Sequence, residues 1–294
     1  MNKAVRIRVP ATTANLGPGF DCLGLALGLY DEFEFSLREK EIIFENCPPE
    51  FANENHLSLI AYRAMAEELS LPRDGFRLRM AGSDIPAARG LGSSAALRVA
   101  GAAAAYCLHG LKPDKEKILE VCTKLEGHPD NVTPAIFGGM TAAFREDERV
   151  FYSRVIPSGK FHWVLVIPSV LLPTEKARAV LPEAVLFCDA VYNLSRTAVL
   201  LQAAGRGDDK LLSAAMRDRL HQEKRKALIP EYDRIQTAAE SLGALAVCLS
   251  GAGPSILAVA KEKAFAAKLQ KVLPDTFTVT DLPCDALGLR IKSI

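Results

Sequence analysis

The sequence predicts a two-domain α+β protein, and three observations carry that reading. From Val5 to Phe44 apolar side chains largely alternate with polar ones, the pattern of strands in a sheet. From His56 the spacing becomes helical, with Leu57, Ile60, Ala64 and Met65 on one stripe and Arg63, Glu67 and Glu68 opposite. The charged run Arg145 to Arg149 and then Pro157-Ser158-Gly159 break the pattern, which places a boundary near residue 155 and separates domains 1–155 and 156–294. At 294 residues the chain is long for one average domain.

Composition narrows the function classes. With 36 basic and 35 acidic residues the net charge is +1, so no general attraction to nucleic acid or anionic membrane is expected and an anionic ligand must be held by local geometry. The seven cysteines are an odd number without Cys-x-x-Cys spacing, which argues against a disulfide framework and a structural zinc site. A reducing cytoplasm fits. The first ten residues read as a strand rather than a signal peptide, and no apolar run reaches the roughly 20 residues of a membrane helix.

In order, Met1 to Pro10 is the first strand, with Val5, Ile7 and Val9 on one side. Pro10 to Asp21 is a loop in which Gly17 and Gly19 allow close approach and Asn15 and Asp21 project; a hairpin whose Asn and Asp cap their own turn has the same sequence. Leu23 to Leu29 returns to strand and Phe33, Phe35 and Leu37 continue it, with a short strand at Ile42 to Phe44. A helix covers His56 to Leu69, a strand Phe76 to Met80, and an alanine-rich helix Ala95 to Leu108. Asp114 to Glu126 is helical, with Pro113 at its favoured first turn, and Phe137 to Phe144 is a glycine-kinked strand. The second half opens with a strand at Phe161 to Ile167 and a helix with Thr174 as its N-cap. Helices follow at Glu183 to about Ala204, Asp208 to about Gln222, and Pro230 to near Gly243. Strands at Ala244 to Ser250 and Ile256 to Ala260 flank a tight loop, and a helix to about Leu273 and two short strands finish the chain. This half reads as helices on one sheet.

The chemistry concentrates in turns. Pro86-Ala87-Ala88-Arg89-Gly90-Leu91-Gly92-Ser93-Ser94-Ala95-Ala96 joins a strand to a helix through small residues. A helix N-terminus offers unpaired N–H groups and partial positive charge, so this stretch is suited to hold a phosphate. It is not a Walker A loop, because no lysine follows Gly92, nor a dinucleotide loop, because Ala95 stands where a third glycine would be. An ordinary serine-capped helix has the same sequence. Glu126-Gly127-His128-Pro129-Asp130-Asn131 gathers carboxylates, an imidazole and an amide after an apolar helix; a solvated turn with an Asn cap is the other reading.

The segments 10–21, 86–96 and 250–255, the last reading Ser250-Gly251-Ala252-Gly253-Pro254-Ser255, resemble in order and spacing the three motifs of the GHMP small-molecule kinases. Within that superfamily the chain is most similar to the homoserine kinases. The likeness lies in Asn15-Leu16-Gly17-Pro18-Gly19-Phe20-Asp21, His128-Pro129-Asp130-Asn131-Val132, Thr174 and Arg178 ahead of Leu181-Pro182, and Asp218-Arg219-Leu220-His221-Gln222 followed by Arg225.

The resemblance implies a two-domain GHMP kinase fold, with a ribosomal-protein-S5-like N-terminal domain and a ferredoxin-like C-terminal α/β sandwich. It implies phosphoryl transfer from ATP to the side-chain hydroxyl of L-homoserine, on the path to threonine. Asn15, Asp21, His128, Asn131, Thr174, Arg178, Arg225 and Gly251 would meet the amino-acid substrate, the arginines through its carboxylate and the acidic and amide groups through its ammonium. Asn55, Pro86, Arg89, Gly90, Leu91, Gly92, Ser93, Ser94, Ala95 and Ala96 would hold the nucleotide, Ser94 (or Ser93) and Glu126 would position Mg²⁺, and Asp130 is the candidate general base. A homodimer is implied as well. Another GHMP kinase of mevalonate or shikimate type, or a nucleotide-binding protein without catalysis on the same fold, are the alternatives.

Overall fold

A computed structural model describes residues 4–72 and 74–294; the first three residues of the expected N-terminal strand lie outside them. The elements in order are β1 (Ala4–Ala14), β2 (Leu23–Arg38), β3 (Ile42–Glu45), α1 (Leu57–Glu68), β4 (Gly75–Ser83), α2 (Ser93–Leu108), α3 (Lys115–Glu126), α4 (Val132–Phe137), β5 (Met140–Glu146), β6 (Arg149–Val155) and β7 (His162–Pro168). They continue with α5 (Thr174–Ala179), α6 (Phe187–Arg206), α7 (Asp209–Ala215), α8 (Gln222–Arg225) running into a single 3₁₀ turn, α9 (Tyr232–Ser241), β8 (Ala246–Leu249), β9 (Ile256–Ala260), α10 (Phe265–Val272), β10 (Phe277–Leu282) and β11 (Arg290–Ser293).

Two sheets result. The first has seven strands, ordered β11-β1-β2-β4-β3, with β5 on the early part of β2 and β6 beyond it. The second has four antiparallel strands in the order β10-β7-β9-β8. The long strand β2 organises the first sheet: its start pairs β5 from Leu23 to Leu25, its later part pairs β4 from Asp31 to Arg38, and β1 runs along its other edge. Alternation separates the faces. Val5, Ile7, Val9, Phe33 and Phe35 are buried under α1 and α2, while the outward Arg6 and Arg79 both pair with Glu34. Strand β7 is covered on both sides. Trp163 and Leu165 join the large core shared with the first sheet and with Leu200, Ala203 and Leu212, whereas Val164 and Val166 face Ile235, Ala239, Phe265 and Leu269.

Several elements differ from the sequence reading, each for a local reason. The first strand runs on to Ala14, because a register shift at Pro10/Ala11 lets it stay paired with β2 through residues expected to be loop. The charged run Arg145 to Arg149 spans the tip of the β5–β6 hairpin, with Asp147 and Glu148 as its turn, and the sequence reading has no counterpart of β6. Asp114, rather than Pro113, opens α3, its carboxylate accepting from the N–H groups of Glu116 and Lys117. Thr174 is not an N-cap: Pro173 precedes α5 and the helix has no side-chain cap. The helix expected from Asp208 to Gln222 ends at Ala215, because the Asp218 carboxylate takes the N–H groups of Leu220, His221 and Gln222 and folds the chain into a turn. The expected boundary falls between β6 and β7, which lie in different sheets, but β11 returns to pair β1, so residues 290–293 belong to the first sheet.

Helix α1 packs closely against α2. A methyl at Gly101 would lie 2.0 Å from the Ser58 carbonyl oxygen, so only glycine permits this approach. Gly101→Ala is expected to lower the urea midpoint with an unchanged slope, by about 1–3 kcal/mol of stability; an unaltered midpoint would mean that the helices can separate freely.

Candidate active site

The three glycine segments meet. The Thr12 N–H donates to the Leu91 carbonyl at 3.0 Å, and the Gly251 N–H to the Ala14 carbonyl at 3.1 Å. The Ser250 hydroxyl lies 2.6 Å from the Gly90 carbonyl, to which it donates, and 2.9 Å from the Thr13 hydroxyl. Asn15, with a left-handed φ of 67°, uses its amide for this junction: Nδ2 donates to the Gly251 carbonyl at 2.8 Å and Oδ1 accepts the Asp21 N–H at 3.0 Å. The second half braces the first loop from behind. His221 lies 2.8 Å from the Gly17 carbonyl through Nε2, and Asn193 donates to the Pro18 carbonyl at 3.0 Å.

Between these segments lies a cleft walled by the loop at Ala88 to Ser94, the turn after α3, the first glycine loop, α5 and Arg225. Helix α2 points its N-terminus into it. Its N-cap is Gly92, left-handed at φ 72°, and no side chain caps the helix. Ser93 is therefore helical, not the serine cap that the sequence also allowed. Among the described residues no acceptor takes the N–H groups of Gly90, Leu91, Gly92, Ser93 or Ser94, which leaves a row of donors for an anion. Ala95 and Ala96 stand apart from this wall: both side chains are fully buried, and the Ala96 N–H already donates to the Gly92 carbonyl. Arg89 lines the cleft, but its guanidinium is tied to the Pro168 and Ser169 carbonyls.

Asn55 and Pro86 line a second, more apolar cavity of about 720 Å³, which also touches Phe51, Met80 and Leu97. The two share Ala88, Ser93 and Ser94, so they adjoin at the start of α2.

The polar half of the cleft is an ordered set of charges. Arg178 holds Asp21 with two bonds, NH1 to Oδ2 at 3.0 Å and NH2 to Oδ1 at 2.6 Å. Arg225 is only 1% exposed. Its Nε donates to the Ala177 carbonyl at 3.1 Å and NH1 to the Gly251 carbonyl at 3.2 Å, and both arginines lie over the Phe20 ring. Burial, then the neighbouring Arg178 charge, bring its pKa down to about 10, which leaves it cationic at neutral pH. Thr174 sits exposed at the lip. Asp130 is 2% exposed; its Oδ1 is shared by His128 Nδ1 at 2.5 Å and Asn131 Nδ2 at 3.1 Å. Asn131 in turn accepts from the Thr12 hydroxyl at 2.8 Å, so its amide orients Asp130 rather than capping α4. Asp21, His128 and Asp130 have ligand atoms within 4.8 Å of one another.

Glu126 ends α3, where left-handed Gly127 stops the helix. Its Oε2 accepts from the Ser94 hydroxyl and from Arg98 Nε, each at 2.7 Å. The sequence reading passed over Arg98. Its signal was there: Arg98 is the sole charge in α2 and lies one turn beyond Ser94. Oxygen donors from a hydroxyl and a carboxylate, side by side at a phosphate-binding helix end, are the donor set a magnesium ion takes.

The family models GHMP kinases N terminal domain and GHMP kinases C terminal match residues 56–139 and 200–278. A homoserine kinase of Clostridium botulinum is 42% identical over 294 residues, covering 98% of this chain and 99% of that protein. The chain belongs to the homoserine kinase family of GHMP kinases. Among solved structures, the homoserine kinase of Cytophaga hutchinsonii superimposes with a TM-score of 0.87 at 26% identity, covering 98% of this chain and 97% of that one. The L. major mevalonate kinase in complex with R-mevalonate, 17% identical with a TM-score of 0.72 and covering 95% of this chain and 96% of that one, shares the fold. The two-domain α+β architecture is thus that of the GHMP kinases.

Burial works to lower the His128 pKa, but its bond to Asp130 and the charges of Asp130, Asp21 and Glu126 prevail, so it lies above the ordinary 6.5. A raised folded-state value means that this pair stabilises the protein fully below pH 6.5 and ceases to do so as the pH rises through the raised pKa. In an NMR titration the His128 ring is expected to titrate above 6.5, and in Asp130→Asn to drop by about 1 pKa unit or more. An unmoved value in the variant would show that Asp130 is not what holds the proton.

Proposed function

We propose that this chain is an ATP-dependent homoserine kinase that moves the γ-phosphoryl group of ATP to the side-chain hydroxyl of L-homoserine, giving O-phospho-L-homoserine for threonine synthesis. The observation that carries the acceptor is the bidentate Asp21–Arg178 pair beside Arg225. A zwitterionic amino acid complements such a pair: its ammonium can take the Asp21 carboxylate while its carboxylate takes Arg178 and the remaining Arg225 donors. A hydroxy acid without an ammonium, as in the mevalonate reading, would leave Asp21 without a partner once Arg178 turned to the substrate.

In this reading the nucleoside lies in the cavity of Asn55 and Pro86, and the phosphates run over the free N–H groups of Gly90 to Ser94. Ser94 and Glu126 would hold Mg²⁺, which would neutralise charge on the phosphate oxygens. The homoserine hydroxyl oxygen bonds to the γ-phosphorus as the bond to the β,γ-bridging oxygen breaks and ADP leaves. The hydroxyl proton passes to Asp130, whose Oδ1 is fixed by His128 and Asn131 so that Oδ2 is the oxygen available. Alignment is the protein's main contribution, worth at most about 7–11 kcal/mol from positioning. A cytoplasmic homodimer completes the proposal; among the described residues no helix is long and apolar enough to cross a membrane.

Purified protein with Mg-ATP is expected to release ADP only when homoserine is added. Turnover with mevalonate, shikimate or a sugar instead would overturn the acceptor, and ATP binding without transfer to any of these alcohols would favour a non-catalytic role. Arg178→Met is expected to raise the KM for homoserine by roughly 30-fold, about 2 kcal/mol, with a smaller change in kcat and none in the KM for ATP.

A further inference from the structure

We propose that Arg98 is a positioning residue that sets the metal affinity of this site, making the cation enter with the nucleotide and not before it. The proposal rests on the reading of Ser94 and Glu126 as magnesium ligands. Arg98 and Ser94 lie one turn apart on α2 and reach the same atom, Glu126 Oε2, each at 2.7 Å. Two donors occupy the available sites of that oxygen, so Glu126 is clamped through Oε2 and presents Oε1, which accepts from none of the described residues. Arg98 itself does not line the cleft and thus acts through Glu126. The pair is shielded, with side chains 15% and 13% exposed, unlike the solvent-swept ion pairs of the outer surface.

Charge gives the clamp its second effect. Paired with Arg98, Glu126 offers a free divalent cation a neutralised carboxylate, which attracts it weakly; the same neutralisation lets an anionic triphosphate approach without repulsion. Metal and nucleotide affinities are therefore coupled through one guanidinium. Remove that charge, and the bare carboxylate should take a cation alone while rejecting metal-free nucleotide.

The test titrates Mn²⁺ by electron spin resonance without nucleotide, and a non-hydrolysable ATP analogue by calorimetry with and without metal. Arg98→Met is expected to bind free Mn²⁺ about tenfold more tightly than wild type and the metal-free analogue about tenfold more weakly, within the ordinary range of coupling. Arg98→Lys keeps the charge without the Nε geometry. It should restore the wild-type preference for metal with nucleotide but have a kcat below that of the wild type, because Glu126 is no longer clamped. Identical titrations for wild type and Arg98→Met would overturn the proposal. Should Arg98→Met fail to fold, tight binding of free Mn²⁺ by the wild-type protein would overturn it equally. Glu126→Gln separates the two layers: if it leaves metal–nucleotide binding unchanged, the assignment of the metal ligands is wrong, whereas if it weakens binding and Arg98→Met does nothing, only the role of Arg98 falls.

Discussion

The interlock of three loops at Ser250 and Gly251 is the constraint on which the rest of the site depends. One short turn between β8 and β9 is bonded to Ala14 and Asn15 on one side and to Gly90 on the other, and accepts from Arg225 as well. Each of these bonds ends on a main-chain carbonyl, so the backbones of the loops must approach closely. A Cβ at Gly90 would lie 2.1 Å from the Ser250 carbonyl oxygen, which is why that position is glycine. Close packing of loops from distant parts of the sequence fixes the helix N-terminus, the acidic turn and the arginines in one frame.

Within that frame, charge is arranged as alternating signs around a cleft and not as one field. The free N–H donors of α2 and the Arg225 guanidinium share the cleft with Asp21, Asp130 and Glu126, and each of those carboxylates is tied to a partner before any ligand arrives. A site built in this way accepts ligands that exchange partners with it, group for group. Binding then replaces existing ion pairs with new ones and avoids stranding a charge away from water, the costly outcome in a partly buried site. It also explains how a chain of net charge +1 can host a polyanion.

Much of this was legible in the sequence, because the periodicities that specify strands and helices are local. The β2 alternation, the α2 alanine run and the turn after Glu126 all read directly. What escaped was set by contacts between distant residues. The extension of β1 to Ala14 needs β2 beside it, and the break after Ala215 needs the Asp218 carboxylate folded onto its own chain. The site was legible as a set of residues but not as a set of roles. Asn15 reads as a ligand-facing amide and serves as a tie between loops; Arg178 reads as a free fork and is engaged by Asp21; Arg98 reads as one helix charge and proves to grip Glu126. Residue type announces capacity for bonding, and only the fold decides which partner takes it.

The return of β11 to the edge of β1 alters how the two sheets are joined. The chain leaves the first sheet after β6, builds the second, and comes back, so the second unit is anchored at both of its ends. A single cut at the exposed Gly159–Lys160 pair between β6 and β7 would leave two pieces still joined through the β1–β11 pairing and the shared core. With two connections crossing between the sheets, after β6 and before β11, any opening of the cleft must bend both together.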